Sequence, residues 1–282
     1  EEIEDQVDFW IPTNYQNFSG IVNIRKAIQS SINLIAIKVT HSIGPELVVS
    51  YAYRMGIKSP LKPVMSVSLG SNEVNLLETV SAISCLPTGG WRNEPVAILS
   101  ITDYKGKEYE KFIKKPKQVL DERTAFLMNY ALMGVVQFGS GWRANIPGHQ
   151  IAGKTGTTNN FTDAWFVGYT PDYICGIFIG NDDPSESLGD QEAGGKVAAP
   201  VWKDVMFDFL KDIEEPKKFN VPEDIVFREI DPTTGLLATQ ESKTKYLEAY
   251  IKGTEPTKYS DYSKKEETRS LEDKIELFKI KY

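Results

Sequence analysis

The chain has 282 residues, 41% hydrophobic and 25% charged, with a formal net charge of −7. That size and balance exclude a stapled mini-protein and a mostly disordered chain, and the acidic excess argues against a basic nucleic-acid face. Two histidines and two cysteines without CxxC or HExxH spacing support neither a zinc site nor a disulfide framework, and no apolar run reaches the roughly 18–20 residues that span a bilayer.

Residues 1–8 are acidic, lack the basic and apolar regions of a signal peptide, and read as an edge. Asn23 is expected to cap IRKAIQSS, with Ile24, Ala27 and Ile28 on one face. Asn33 is expected to cap LIAIKVTHSIG, which Gly44 ends; Pro45 then suits the first turn of ELVVSYAYRM, closed by Gly56. Residues 57–75 read as a loop, 76–86 as a helix closed by Pro87, Gly89 and Gly90. VAILSITDY and KEYEKFIK flank Lys105-Gly106 as a hairpin. The apolar run 121–136 reads as a central buried helix, with Gly139 just past its end.

From residue 150 the period becomes that of strands: QIAGKTGTT, DAWFVGYT and YICGIFIGN, with a turn at Thr170-Pro171-Asp172-Tyr173. An amphipathic helix is predicted over 198–213 with Pro200 at its start. Helices, then an antiparallel meander, then a covering helix indicate an α+β fold. Residues 9–215 are expected to form the main domain and 216–257 a polar, turn-rich extension. In 258–282, 13 of 25 residues are charged, the composition of a disordered tail. Cys85 and Cys175, in apolar runs, read as buried free thiols.

Two short motifs carry chemistry. In Gly153-Lys154-Thr155-Gly156-Thr157-Thr158, a lysine among small residues on a strand makes a positive ledge that an extended peptide can approach. The threonine hydroxyls can bind a carboxylate that the lysine attracts. A plain strand that happens to start with Gly and Lys is the other reading. Ser31-Ile32-Asn33 sits at a helix–helix joint, where a hydroxyl can pass protons and an amide can bind an amide. Taken alone, Ser31 and Asn33 read as helix caps.

Together, a Ser/Asn motif and K-T-G are two of the three signatures of active-site serine β-lactamases and penicillin-binding proteins, the third being S-x-x-K. The chain resembles the transpeptidase domain of class A (bifunctional) penicillin-binding proteins over roughly residues 9–257. The segments that carry the resemblance are FWIPTNYQNFSGIVNIRKAIQSSINLIAIKV, MGIKSPLKPVMSVSLGSNEV, GKTGTTNNFTDAWFVGYTPDY, GGKVAAPVW and IKGTEPT. The resemblance implies a penicillin-binding-protein/serine β-lactamase-like fold, an antiparallel sheet covered by helices. It implies a D,D-transpeptidase that cross-links peptidoglycan stem peptides ending in D-Ala-D-Ala through a serine acyl-enzyme and that β-lactams acylate. No cofactor, metal or nucleic acid is implied, and other cell-wall synthesis proteins are the expected partners.

Residue by residue, Ser31 would relay a proton between the catalytic lysine and the leaving amine, and Asn33 would bind a stem-peptide carbonyl. Lys154 would orient Ser31 and attract the substrate carboxylate, which Thr155 and Thr157 would hydrogen-bond across Gly156. The Thr157 backbone N–H would be an oxyanion-hole donor. The nucleophile is not identified: neither Ser19 nor Ser30, the serines before Ser31, has a lysine three residues on. Ser59-Pro60-Leu61-Lys62 falls after the Ser/Asn motif and reads as a loop, and Ser242-Lys243-Thr244-Lys245 reads as surface. The nucleophile, a glycosyltransferase domain and a membrane anchor are therefore expected upstream of Glu1, on the extracytoplasmic face of the bacterial cytoplasmic membrane, and the chain by itself is expected to be inactive. A non-catalytic peptidoglycan-binding module and a serine β-lactamase are the alternatives.

Overall fold

The computed structural model describes residues 22–113 and 115–262. The acidic stretch 1–8 and residues 263–282 of the predicted tail lie outside the described residues; the start of that tail is ordered, with Tyr259 bridged to Leu237 and Ser260 buried.

Three helices follow one another through tight joints: α1 (Ile24–Gln29), α2 (Asn33–Ile43) and α3 (Pro45–Met55). Asn23 caps α1, its side chain accepting the Lys26 N–H at 2.8 Å. Asn33 is not a cap. The cap position of α2 falls on Ile32, whose backbone is extended, and Asn33 is the first helical residue. α4 (Leu76–Ile83) starts at an Asn75–Glu78 capping box, in which each side chain takes the other's backbone N–H. It is shorter than the predicted 76–86, because the chain turns over at Ser84 into a run of turns.

Four short strands come next: β1 (Trp91–Arg92), β2 (Ser100–Thr102), β3 (Glu108–Lys111) and β4 (Lys117–Gln118). β2 pairs with β3 as the predicted hairpin, and β1 with β4 at its base. Asp103 sets the hairpin turn by accepting the N–H groups of Lys105 and Lys107.

α5 (Glu122–Phe138) is the predicted central helix. Asp121 caps it, and Ala125, Phe126, Asn129, Leu132, Val135 and Val136 are buried along it. The three predicted strands are β5 (Ala152–Thr157), β6 (Asp163–Tyr169) and β7 (Ile174–Gly180), an antiparallel sheet in the order β5-β6-β7. The register runs from Ala152↔Tyr169 to Thr157↔Ala164. α5 joins the sheet through one buried amide: Asn129 donates to the Leu86 carbonyl and accepts the Tyr169 hydroxyl, both at 2.9 Å.

α6 (Gly194–Leu210) covers the sheet. It begins four residues before the predicted start, so Pro200 lies inside the helix. Two glycines at its start have low helix propensity and hid that start. Trp202 of α6 is fully buried, and its indole N–H is shared between the Gly168 and Cys175 carbonyls at 3.1 and 3.0 Å. Its ring meets Phe166 edge-on at 5.4 Å. Trp165, on the opposite face of β6, packs against Phe178.

The stretch read as turn-rich contains two further strands, β8 (Ile225–Ile230) and β9 (Tyr246–Ile251), paired antiparallel in register from Ile225↔Ile251 to Ile230↔Tyr246. Ile225 and Ala249 join the core that surrounds α5, and the Phe227 ring meets those of Phe126 and Tyr130 edge-on. Ser242 is not a surface residue: it is buried and accepts the Thr239 N–H. Cys85 is fully buried, and burial pushes its thiol up to about 11; Cys175 is only half-buried.

Candidate active site

β5 lies at one edge of the sheet, with α5 and α6 behind it. Its third residue, Lys154, is half-buried. The ammonium donates to the Ser31 hydroxyl oxygen at 2.9 Å, to the Thr155 carbonyl at 3.0 Å and, at 3.5 Å, to the Thr155 hydroxyl. All three acceptors are neutral. Burial therefore acts on the charge with no anion to offset it, and the lysine is lowered to about 8.

Ser31 occupies the joint between α1 and α2 with φ of +52°. The left-handed region costs a serine about 1–2 kcal/mol. Its N–H bonds the Ile28 carbonyl, and the next N–H, of Ile32, reaches back to Ala27. The reversal closes α1 and turns the Ser31 side chain toward β5. Asn33 sits half-buried two residues on, in the first turn of α2.

The three other predicted residues lie on the same strand. The Thr155 hydroxyl is 2.8 Å from that of Ser140, whose N–H donates to the Gln29 carbonyl at 3.0 Å. Ser140 thus ties β5 to the end of α1. Sequence reasoning missed it, since Gly139-Ser140-Gly141 read only as the end of a helix. Gly156 faces Trp165 across the pair, where a Cβ would come within 3.1 Å of the tryptophan Cβ. The Thr157 hydroxyl accepts the Gly194 N–H at 3.1 Å. Gly194 permits that approach: a Cβ there would stand 2.2 Å from the Trp165 carbonyl and 2.4 Å from that of Gly156. Accepting that bond uses a lone pair of the Thr157 hydroxyl and leaves its hydrogen able to donate.

Ser59 is elsewhere and differently employed. Its hydroxyl and N–H both bind Glu78, which also takes the N–H groups of Lys58 and Asn75. The Ser59–Lys62 segment is non-helical, and Lys62 pairs through its backbone with the Asn72 side chain. A serine and lysine one helical turn apart, as S-x-x-K needs, do not exist here. Burial opposes ionisation of Glu78, but the Ser59 hydroxyl and the three N–H groups outweigh it and hold the carboxyl at about 2, too acidic for a general base near neutrality.

Among the described residues, no cluster of three or more His, Cys, Asp or Glu could hold a metal ion, and no helix is long and apolar enough to cross a membrane.

An α+β domain that sets a lysine on an open sheet edge against a serine at a helix joint has the layout of the serine acyl-transfer fold described by the K-T-G and Ser/Asn motifs. Comparison with known proteins places it further. The profile of the penicillin-binding-protein transpeptidase domain matches residues 3–207, and that of the C-terminal domain of penicillin-binding protein 1A matches residues 221–265. The chain belongs to the penicillin-binding-protein transpeptidase family. Penicillin-binding protein 1A of Aquifex aeolicus is 33% identical over 248 residues, which is 88% of this chain and 34% of that protein. Its counterpart in Neisseria lactamica is 36% identical over 210 residues, 72% of this chain and 26% of that protein. The crystal structure of penicillin-binding protein 1A from Haemophilus influenzae matches 92% of this chain and 44% of its own, with a TM-score of 0.82 at 27% identity. The chain thus spans 34% or less of these two curated relatives.

Proposed function

We propose that this chain is the greater part of the transpeptidase unit of a longer, bifunctional cell-wall enzyme. That unit joins peptidoglycan stem peptides ending in D-Ala-D-Ala through a serine acyl-enzyme and is acylated by β-lactams. The single observation that carries this reading is the 2.9 Å bond from Lys154 to Ser31, formed across 123 positions of sequence.

The chemistry follows from donors and acceptors. An ammonium has three donors and no acceptor, so the bond runs from Lys154 to Ser31 and leaves the serine hydrogen free for a third group. In acylation a nucleophilic serine attacks the carbonyl of the penultimate D-Ala, the bond to the terminal D-Ala nitrogen breaks, and that nitrogen takes a proton. Ser31 hands over its hydrogen and is reprotonated by the lysine of S-x-x-K, while Lys154 fixes its orientation. Lys154 also supplies the positive field for the terminal carboxylate, and the hydroxyls of Thr155 and Thr157 hold it. Asn33 binds an amide carbonyl of the stem peptide, and the Thr157 N–H points at the developing oxyanion, a donor of a kind worth about 2.7–4 kcal/mol.

The nucleophile, with its S-x-x-K lysine, is assigned to polypeptide preceding residue 1, as are a glycosyltransferase domain and a membrane anchor. The reaction then takes place in the cell envelope, on the outer face of the cytoplasmic membrane.

A fluorescent penicillin tests this reading. The longer natural protein should form a covalent adduct on a serine of an S-x-x-K upstream of residue 1, and this chain alone should form none. Labelling of Ser59 in a mass spectrum would overturn the assignment of the nucleophile. No adduct on the longer protein would leave a non-catalytic peptide-binding module.

A further inference from the structure

The half of the site that carries Ser31 is held by the C-terminal strands. α1 has six residues, too few for a helix to be stable by itself. Its N-terminal turn is gripped from outside. Arg25 makes a two-pronged bond to Glu248 of β9, Nε to Oε2 at 2.7 Å and Nη2 to Oε1 at 2.5 Å. The pair is largely shielded, at 14% and 16% side-chain exposure. Its third donor, Nη1, reaches the Tyr130 carbonyl on α5 at 3.2 Å, and the guanidinium lies 4.4 Å above the Tyr130 ring. The Tyr130 hydroxyl in turn donates to the Leu247 carbonyl of β9 at 2.9 Å. Asn23, which caps α1 with its oxygen, gives its amide N–H to the Tyr246 hydroxyl at 3.0 Å. Tyr246 and Glu248 of β9 therefore both bind the first turn of α1, and Leu247 between them holds the Tyr130 that Arg25 also reaches.

The other end of α1 is pinned by Ser140 on the Gln29 carbonyl. Ser31 follows two residues later in its left-handed conformation. From Arg25 to Gln29, the last residue of α1, is roughly 6 Å of rise at 1.5 Å per residue, a lever short enough to transmit orientation to the Ser31 joint just beyond it. A bidentate arginine–carboxylate pair fixes angle as well as distance.

We propose that Glu248 and Tyr246 of β9 are positioning residues for Ser31: by clamping α1 through Arg25 and Asn23, they hold the Ser31 hydroxyl within hydrogen-bond reach of Lys154. This rests on reading Ser31 as the proton relay. It makes the C-terminal strand pair, which contributes no group to the chemistry, a determinant of its rate. A displacement of about 1 Å in a reacting group can cost up to ~100-fold.

The test uses the longer natural protein carrying Glu248→Gln, Tyr246→Phe or, as control, Glu255→Gln. Glu255 forms an ion pair inside this unit, with Arg228 at 2.9 Å, and its bonds run within the C-terminal strands and their loop. Three quantities are read: the rate of acylation by a fluorescent penicillin per folded molecule, the melting temperature, and amide exchange at Ser31 and Ile32. E248Q should slow acylation about tenfold and speed exchange at both amides. Y246F should do the same to a smaller extent, and E255Q should change neither. E248Q acylating at the wild-type rate, or E255Q losing as much as E248Q, overturns the clamp. A wild-type protein that does not label at all defeats the functional reading instead. Exchange at Ser31 and Ile32 then still decides the clamp, since protection unaltered in E248Q overturns it.

Discussion

The Ser59–Glu78 and Ser31–Lys154 pairs each set a serine against a half-buried or buried charge, and the two are opposites. At the start of α4, Glu78 has the Ser59 hydroxyl and three backbone N–H groups around it, and its carboxyl falls to about 2. On β5, Lys154 has Ser31 and two neutral threonine oxygens, and it falls to about 8, against its own charge. The fold stabilises the ionised form of the first and destabilises that of the second. A charge surrounded by matched donors is part of the scaffold. One held among neutral acceptors, beside a serine in a costly backbone conformation, is what the proposed role of Lys154 requires.

The comparison breaks first at Lys154. In the longer protein, Lys154→Ala should slow penicillin acylation by about 10²–10³-fold, the usual effect of removing a preorganised polar group, without lowering thermal stability. Equal losses of rate and stability would make Lys154 a scaffold lysine. Its pH signature has a definite sign. Folding penalises the protonated lysine, so the penalty is complete below pH 8 and fades as pH rises to 10.5. The stability of the wild type relative to K154A should therefore climb across that window, by up to ~3 kcal/mol. A flat difference in urea unfolding would show that the lysine is not desolvated.

Glu78 should behave in the reverse way and affect stability alone. Its lowered pKa contributes stability that is complete above about 4.5 and lost as pH falls toward 2. Glu78→Gln should remove about 3 kcal/mol at pH 7, and its deficit should vanish in acid. A deficit independent of pH would contradict the assignment. The smallest effect is expected at the joint itself. Ser31→Gly should be more stable than Ser31→Ala by about 1 kcal/mol, because only glycine accepts the left-handed backbone without cost. Equal stability of the two variants would show that Ser31 carries no strain.

What was legible in the sequence was whatever depends on neighbours in the chain. Alternation and the Pro171-Asp172 turn located β5, β6 and β7, and the K-T-G motif fell on the strand expected of it. β8 and β9 were missed because they pair across a connection of 15 residues (231–245) with no tight-turn signature. The Ser31–Lys154 pair was within reach only because two motifs implied each other. Neither the left-handed backbone at Ser31 nor the hydroxyl contact of Ser140 leaves a local mark, since both arise from the approach of segments distant in sequence. The S-x-x-K match at Ser59 shows the converse: four letters agree while the backbone they need is absent.

The edge position of β5 carries one more consequence, for colloidal behaviour. A strand left open so that an extended peptide can lie along it is open to any extended chain, a second molecule of the same protein included. Two copies pairing antiparallel with Lys154 opposite Lys154 would bring two ammonium groups together in a partly desolvated space. The charge proposed to receive a carboxylate would thus also oppose self-pairing in that register, and neutralising it would remove a guard against self-association.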